Sequence, residues 1–533
     1  MKKGNRLNII LFAILSVVLL SSILQEHFGI IKWRKLQGVV TDQPMPRLSF
    51  TNYRSGDFQR ETEQHLKLHF GFREPLIRFY NQYLWDFYDK TPVGKGQIVF
   101  GKNGWIYEPW FVEDYYQSQM HYYAQDSTEM AKLFGDEARR LYQLQHILES
   151  YGTHLFVCLL PGKDLVYSEY LPENTQYHLE KKISTRSFYE NEFNRLGINH
   201  INVEQWFMQM KDTADFMLFP STGTHWTNLA SVYVADSLIR YMEQLGDFNM
   251  VNLCIGEKYP DNTREPDADL ESLMNLIRPL PKPKYLYANV KTDADTSAFK
   301  PRIITIGDSF WWNIVNQLPM RDIFSSFPYW YYNSTIYFDE VHNNTSQLDL
   351  VDELLSANFV VLSYCSVQQY KMSNGFSKNA LIALCYDKEE IDSCRASIKR
   401  SIESDESWMD KLRNKSVNDG VSIEQVEEAE ITYLVNNNME KYFPVLKDSI
   451  PTKRSAAVEA FFASDSLQFI EKQIQKVVIE IKSSPEKMEM MYQKSAEKGI
   501  DLETTIQNDA HWVVDYKIAN GLISIPKQWL NTK

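Results

Sequence analysis

A serine at a corner where a buried strand turns into a helix is placed to act as a nucleophile, and residues 303–315 offer such a corner. Ile303-Ile304-Thr305-Ile306 is short, apolar and β-branched, and it runs into Gly307-Asp308-Ser309-Phe310 and then the helix-like Trp311-Trp312-Asn313-Ile314-Val315. In open α/β sheets ligands bind at the C-terminal edge, where this hydroxyl would lie. A following helix N-terminus would turn backbone N–H groups toward a developing oxyanion. The tripeptide alone is common, and its plain alternative is a turn in which Ser309 caps a helix. Asp308 reads as the residue that shapes the corner rather than as a triad acid.

A serine hydroxyl needs a base. The segment Thr222-Gly223-Thr224-His225-Trp226-Thr227-Asn228 follows Phe219-Pro220 and enters the helix-like Leu229-Ala230-Ser231-Val232-Tyr233. A histidine just ahead of a helix and beside a bulky Trp226 is suited to take a proton from Ser309. Alone, it reads as structural; with Ser309 the pair reads as catalytic. Lys163 ends the strand-like run His154–Leu160 and either faces this edge or is a solvated loop lysine. Trp105, Trp110, Trp226, Trp311, Trp312, Trp330 and the run Tyr329 to Tyr332 give high aromatic usage. Such faces suit stacking on sugar rings, although for any single ring core packing is the simpler reading.

These residues must be positioned by a larger frame. A chain of 533 residues exceeds one core, and its length allows about two to four domains. The short apolar runs His154–Leu160, Ile303–Ile306 and Phe359–Ser363 alternate with helical patterns such as Glu129–Tyr151 and Leu229–Leu245. That alternation favours a mostly parallel sheet with helices on both faces. A net charge of -13 argues against nucleic acid as a partner, since phosphate binding needs clustered Lys and Arg.

Leu7 to Leu24 carries no charge, with Lys2, Lys3 and Arg6 before it and Glu26 after it. The run is about long enough to cross a hydrocarbon core, and the flanking charges put the N-terminus in the cytoplasm. No small-residue cleavage pattern closes it, so a retained anchor is expected in preference to a signal peptide. Residues 26–50 read as a linker. Apolar residues at helical spacing between Gly56 and Asp89, broken at Phe70-Gly71-Phe72-Arg73, predict two helices.

From about residue 396 the chain becomes charged and helical and repeats itself. Residues 408–424 match residues 487–503 at an offset of 79 (Lys415 to Lys494), each copy a helix, a Gly turn and a second helix capped by Ser422 or Asp501. This reads as a duplicated appendage with an interaction or structural role. Of the five cysteines, Cys158 and Cys365 read as buried thiols. Cys385 and Cys394 are close enough in sequence to pair in an oxidising compartment, and the spacing fits no zinc motif.

Gly-Asp-Ser-Phe after a strand, Thr-His-Trp before a helix, Gly101-Lys-Asn-Gly104-Trp105-Ile-Tyr107, and Pro161-Gly-Lys163-Asp-Leu-Val-Tyr167 with Leu171-Pro172 come in a characteristic order. Over about residues 45–395 the set resembles the SGNH-hydrolase-like domain of the alginate O-acetyltransferase family (AlgJ/AlgX-like). The resemblance implies an α/β SGNH fold and a Ser-His-Asp triad. It also implies an acetyl group received from a membrane-bound O-acyltransferase (MBOAT) partner and passed to a polysaccharide acceptor. Matched by motif, Ser309 is the nucleophile and His225 the base, and no metal or dissociable organic cofactor is implied. The domains expected are an anchor (1–24), a helical lead-in (25–95), the SGNH-like domain (96–395) and the duplicated tail (396–533). Most of the chain is then expected in the periplasm, tethered to the inner membrane by a single pass.

One position departs from the family. Its acid stands two residues before the histidine, where this chain has Gly223. The acid fixes the imidazole tautomer and stabilises the imidazolium, and its loss in a serine protease costs about ten-thousand-fold. Either another carboxylate substitutes, or a Ser-His dyad works with a backbone carbonyl, or the domain is inactive. Asp215 is the first candidate acid and Asp212 the second, both by proximity in sequence. The functions left open are an O-acetyltransferase, a carbohydrate esterase of the same fold, and a non-catalytic glycan-binding or assembly subunit.

Overall fold

The computed structural model describes residues 3–38, 43–88, 90–91, 98–117, 123–173, 182–293, 298–339, 341–419, 421–447, 449–464 and 466–519. The N-terminal run forms α1 (Lys3–Phe28). Its stretch Ile9–Phe28 has a mean hydropathy of 2.3, enough by length and composition to cross a bilayer. Two further helices, α2 (Asp57–Leu68) and α3 (Arg73–Tyr88), stand where the apolar spacing puts them. The break between them contains Gly71.

The central sheet has six strands: β1 (His154–Leu160), β2 (His200–Asn202), β3 (Ile303–Gly307), β4 (Tyr329–Tyr331), β5 (Thr335–Tyr337) and β6 (Phe359–Cys365). They lie in the order β5-β4-β3-β6-β1-β2. Neighbours are parallel except β4 with β5, which are antiparallel. Helices of this region that matter to the site and core include α4 (Ser127–Ser150), α5 (Thr185–Leu196), α6 (Asn228–Gly246), the short α7 (Asp269–Leu273), α8 (Trp311–Gln317) and α9 (Phe376–Cys385).

Strand periodicity sorts the core into two layers. Leu155, Val157 and Leu159 of β1, with Ile304 and Ile306 of β3 and Val360 and Leu362 of β6, pack under α4, α5 and α9. Phe156, Cys158, Ile303, Phe359 and Val361 point the other way, against α6 and α8. Both faces are covered, which explains why these strands read as unbroken apolar runs rather than alternating ones.

The long helices of the tail are α10 (Lys388–Glu403), α11 (Glu406–Asp419) and α12 (Ile423–Asn437), then α13 (Ser466–Ser483), α14 (Pro485–Lys498) and α15 (Leu502–Ala519). The repeat is longer than its sequence match, because α10 and α13 keep the same offset. Ile398, Ile402, Leu412, Ile431 and Val435 in the first copy correspond to Val477, Ile481, Met491, Ala510 and Val514 in the second, and all are buried. The turn is closed alike, by Ser416 Oγ donating to Val421 O at 2.6 Å and Ser495 Oγ to Ile500 O at 2.7 Å.

Two expectations need correction. The change of composition at 396 falls inside α10, and the buried side chains of the first copy join the α4-side core of the sheet. Among the described residues, only the second copy has a small core of its own, around Ile474, Val478 and Val514. A charged helix exterior marks the composition boundary, whereas packing follows the few apolar positions that point inward. Cys385 and Cys394 are separate thiols rather than a disulfide, the first buried under the sheet and the second half-exposed.

Candidate active site

β3 ends at Gly307, which is wedged against β6. An added Cβ would lie 2.3 Å from Ser363 O, so only glycine allows the strands to stay paired where the chain turns. Asp308 then shapes the corner. Its carboxylate accepts from Cys365 N at 2.7 Å and from Phe310 N at 3.1 Å, while Asp308 N donates to Ser363 O at 3.1 Å. Burial pushes this carboxyl up, and the backbone donors work against that rise. The next residue, Ser309, is left half-exposed at the C-terminal edge of the sheet.

The helix after it offers fewer oxyanion donors than its sequence suggests. Trp311 N donates to Asp308 O and Trp312 N to Ser309 O, and Phe310 N is bound by the Asp308 carboxylate. The amide of Ser309 itself stands without a partner among the described residues of this turn.

His225 reaches Ser309 from the loop before α6. Thr227 caps that helix by accepting from Ala230 N at 3.2 Å, and it donates to Met217 O at 2.7 Å. Trp226 is fully buried against Phe207 and Phe310, and its carbonyl accepts from Asn313 Nδ2 of α8 at 2.9 Å. The base-bearing loop is thereby tied to the helix that follows the nucleophile. His225 Nε2 lies 2.8 Å from Ser309 Oγ, and its Nδ1 lies 2.6 Å from Asp269 Oδ2. With Nδ1–H donating to Asp269, Nε2 is free to accept from the serine hydroxyl.

The carboxylate behind the ring is therefore Asp269, 44 residues after the histidine. Neither sequence candidate takes this place. Asp215 is 68% exposed and bound to Lys258 Nζ at 2.6 and 2.8 Å, and Lys258 holds its carboxyl below the usual range. Asp212 is exposed in the same turn.

Asp269 opens α7 and is locked by backbone donors. Its Oδ1 accepts from Thr224 N at 2.7 Å and from Leu270 N at 2.8 Å, and Glu271 N donates to Thr222 O at 3.1 Å. Two residues earlier, fully buried Asp267 accepts from Asn228 N at 3.0 Å and from the Tyr287 hydroxyl at 2.8 Å. Burial pushes Asp267 up to about 7.

Lys163 is neither a site-facing group nor a solvated one. It is fully buried, and Nζ donates to Ile106 O at 2.7 Å, Ser221 O at 3.0 Å and Gly223 O at 2.7 Å. The rings of Trp105 and Tyr107 lie 5.0 and 4.8 Å away. Burial pulls its pKa down, yet three acceptors at these distances need all three N–H donors of an ammonium. Lys163 clamps the His225 loop to the short strand Ile106–Tyr107.

Glu108, directly after that strand, is a further carboxylate whose charge acts on the histidine. Burial raises its own carboxyl. For His225, burial acts downward, but the charge and hydrogen bond of Asp269, with Glu108 and Asp308, bring the pKa to a net value above the ordinary one. Sequence reasoning passed over both Asp269 and Glu108. Glu108 was signalled by its place at the end of the Gly101–Tyr107 motif, and Asp269 by Pro266-Asp-Ala-Asp-Leu270 leading into an apolar stretch.

Four of the tryptophans are structural: Trp105, Trp226, Trp311 and Trp330 are buried, whereas Trp110 is 53% exposed. Among the described residues, Asp339, His342 and Glu353 could offer metal ligands within 4.8 Å of one another. Asp339 already accepts from Val341 N and His342 N, Glu353 pairs with Arg302, and none of the three belongs to the site.

Ser309, His225 and Asp269 converge at one edge of the mostly parallel, helix-flanked sheet of an SGNH-like α/β domain. Residues 98–313 match the family described as SGNH hydrolase-like domain, acetyltransferase AlgX. No curated protein sequence matches the chain.

Similar solved structures include the O-acetyltransferase domain of Pseudomonas putida AlgJ, at 15% identity and a TM-score of 0.34 over 51% of this chain and 92% of that one. Pseudomonas aeruginosa AlgX gives 12% and 0.33 over 53% and 66%. Bacillus cereus PatB1 gives 13% and 0.31 over 51% and 96%.

Proposed function

We propose that this protein is an exported, membrane-anchored O-acetyltransferase that passes acetyl through Ser309 to hydroxyls of an envelope or extracellular polysaccharide. The observation that carries the reading is the unbroken line from Ser309 Oγ through the His225 ring to Asp269, at 2.8 and 2.6 Å. Ser309 Oγ attacks the acetyl carbonyl as its proton passes to His225 Nε2, and Asp269 stabilises the imidazolium. The tetrahedral intermediate collapses, His225 protonates the departing donor group, and acetyl-Ser309 remains. A glycan hydroxyl then attacks, giving its proton to His225, which returns it to Ser309 Oγ as the acetyl ester leaves.

The anchor is α1, and the donor on this reading is an acyl group delivered at the membrane by an MBOAT partner. Trp110, two residues after Glu108, is exposed, and such a ring face suits stacking on a sugar. Water in place of the glycan would make the same machinery an esterase. The feature that favoured a non-catalytic subunit, Gly223, has a steric account in the position of the Asp269 segment.

Incubating the protein with p-nitrophenyl acetate and an oligosaccharide tests the reading. Mass spectrometry is expected to find acetyl on Ser309 and then on the sugar, with both lost in Ser309→Ala. Release as free acetate alone, with sugar present in excess, would make the protein an esterase.

A further inference from the structure

α3 has two unlike faces. Inward, Trp85 packs on the cluster of Ile106, Leu270 and Met274, Asn81 Nδ2 donates to Met274 O at 2.8 Å, and Gln82 Oε1 accepts from Ile277 N and Arg278 N at 3.1 and 2.9 Å. Outward, Leu76, Phe79, Tyr80, Tyr83 and Phe87 recur at helical spacing, each between 43% and 72% exposed. A stripe of four aromatic rings and a leucine, about 16 Å long at 1.5 Å per residue, is not the ordinary scatter of exposed apolar side chains.

The position of this stripe is fixed by α1. The turn between α2 and α3 is pressed onto the last turns of that helix: a Cβ at Gly71 would lie 2.4 Å from Ser22 O, 2.7 Å from Glu26 N and 2.9 Å from Gln25 Cβ. Trp33 Nε1 donates to Gly71 O at 3.1 Å. The Gln25 side chain closes the exit from α1 by bonding both the N–H and the C=O of Ile31. Ser22, Gln25 and Glu26 belong to the apolar stretch Ile9–Phe28. If that stretch spans the bilayer, the start of α3 is at the depth of the bilayer's outer boundary.

We propose that α3 is an interfacial helix, its stripe from Leu76 to Phe87 seated in the headgroup–acyl boundary of the membrane that α1 crosses. Tyr and Trp are the side chains favoured at this boundary, where a ring is apolar and its tip meets water. The opposite face of the helix holds residues 274–278, immediately after α7, so the lipid surface and the Asp269 segment are joined through one helix. The proposal rests on the anchor reading and is independent of the chemistry at Ser309.

The test uses the full chain in nanodiscs holding one copy each, in a Cys254→Ser, Cys394→Ser background. Phe79→Cys, Tyr83→Cys and, as a control on the exposed Val417 of α11, Val417→Cys are labelled with a polarity-sensitive fluorophore. The labels at 79 and 83 are expected to shift to the blue, to be quenched by lipid with a nitroxide near the head of its acyl chain, and to resist aqueous iodide. The control is expected to do the reverse.

Labels at 79 and 83 that behave like the control overturn the proposal while leaving the anchor intact. Protection that arises only when a second protein is added assigns the stripe to that protein and also overturns it. A chain that fails to enter the discs overturns the anchor and this proposal together.

Discussion

The Cβ that Gly223 lacks would lie 2.9 Å from the carbonyl oxygen of Pro266. It would also meet Pro220 Cγ at 2.9 Å and the carbonyl carbon of Asp267 at 3.0 Å. The backbone that delivers Asp269 to His225 thus occupies the space beside the position where the resembled family carries its acid. The glycine and the distant aspartate are two sides of one arrangement.

Restoring an aspartate at 223 is therefore expected to harm the protein. Gly223→Asp must displace the Pro266–Asp267 backbone and brings a second carboxylate to one imidazole, and overpacking of this kind costs about 1–3 kcal/mol. Thermal unfolding should show the loss of stability, and labelling of Ser309 by a fluorophosphonate should slow. Acceleration by orders of magnitude would mean that position 223 is simply a vacated triad site.

The rate of Ser309 acylation should follow the neutral fraction of His225. Because the folded pKa of His225 is raised, the rate is lost on acidification and recovers through a midpoint above the ordinary histidine value of 6.5. The linked stability has the opposite sense: it is fully present below the unfolded pKa and lost as pH rises through the folded one. Asp269→Asn removes the charge that opposes burial, so its rate midpoint should move to lower pH. Rate profiles of the two proteins between pH 5 and 9 (about four units around the ordinary histidine value) check this, and coincident midpoints would deny the interaction.

Lys163→Met keeps much of the side-chain length but leaves Ile106, Ser221 and Gly223 carbonyls without their donor. Each unmet buried acceptor costs about 1–3 kcal/mol, so denaturant unfolding should show a loss of several kcal/mol. A solvated loop lysine would change stability by less than about 0.5 kcal/mol.

Much of the frame was legible in the sequence because it rests on local signals. Strands β1, β3 and β6, buried on both faces, read as apolar runs, and the break at Gly71 divided two helices. Ser309 and His225 were legible because each sits at an element boundary with a short motif around it. Asp269 was not, since a carboxylate behind a histidine needs only one oxygen in the right place, and its loop can come from anywhere along the same sheet edge. Asp215 was nearer in sequence but points to Lys258 and solvent. Lys163 was misread because three backbone carbonyls, invisible as residue types, are what hold it. The tail boundary was misplaced because a charged helix can still bury Ile398 and Ile402.

Gln82 should matter to chemistry that it does not touch. Gln82→Ala strips the acceptor from Ile277 N and Arg278 N and loosens the segment that continues α7. Acylation of Ser309 is expected to fall, with the rate midpoint drifting toward that of Asp269→Asn. Gln82→Glu keeps the acceptor oxygen but loses the Nε2 donor to Asp86 Oδ1 at 2.8 Å, so it should restore only part of the rate. A slower enzyme with an unmoved midpoint would reduce Gln82 to a stability role.

The identity of the carboxylate behind His225 is the point on which the account turns. Second-order rate constants for fluorophosphonate labelling of Ser309, measured for the wild type, Asp269→Asn and Asp215→Asn, test it most directly. Asp269→Asn should bring a fall approaching the about ten-thousand-fold seen when a serine protease loses its triad acid, and Asp215→Asn should leave the rate unchanged. An Asp269→Asn protein that labels as fast as wild type, or a collapse with Asp215→Asn, would contradict it.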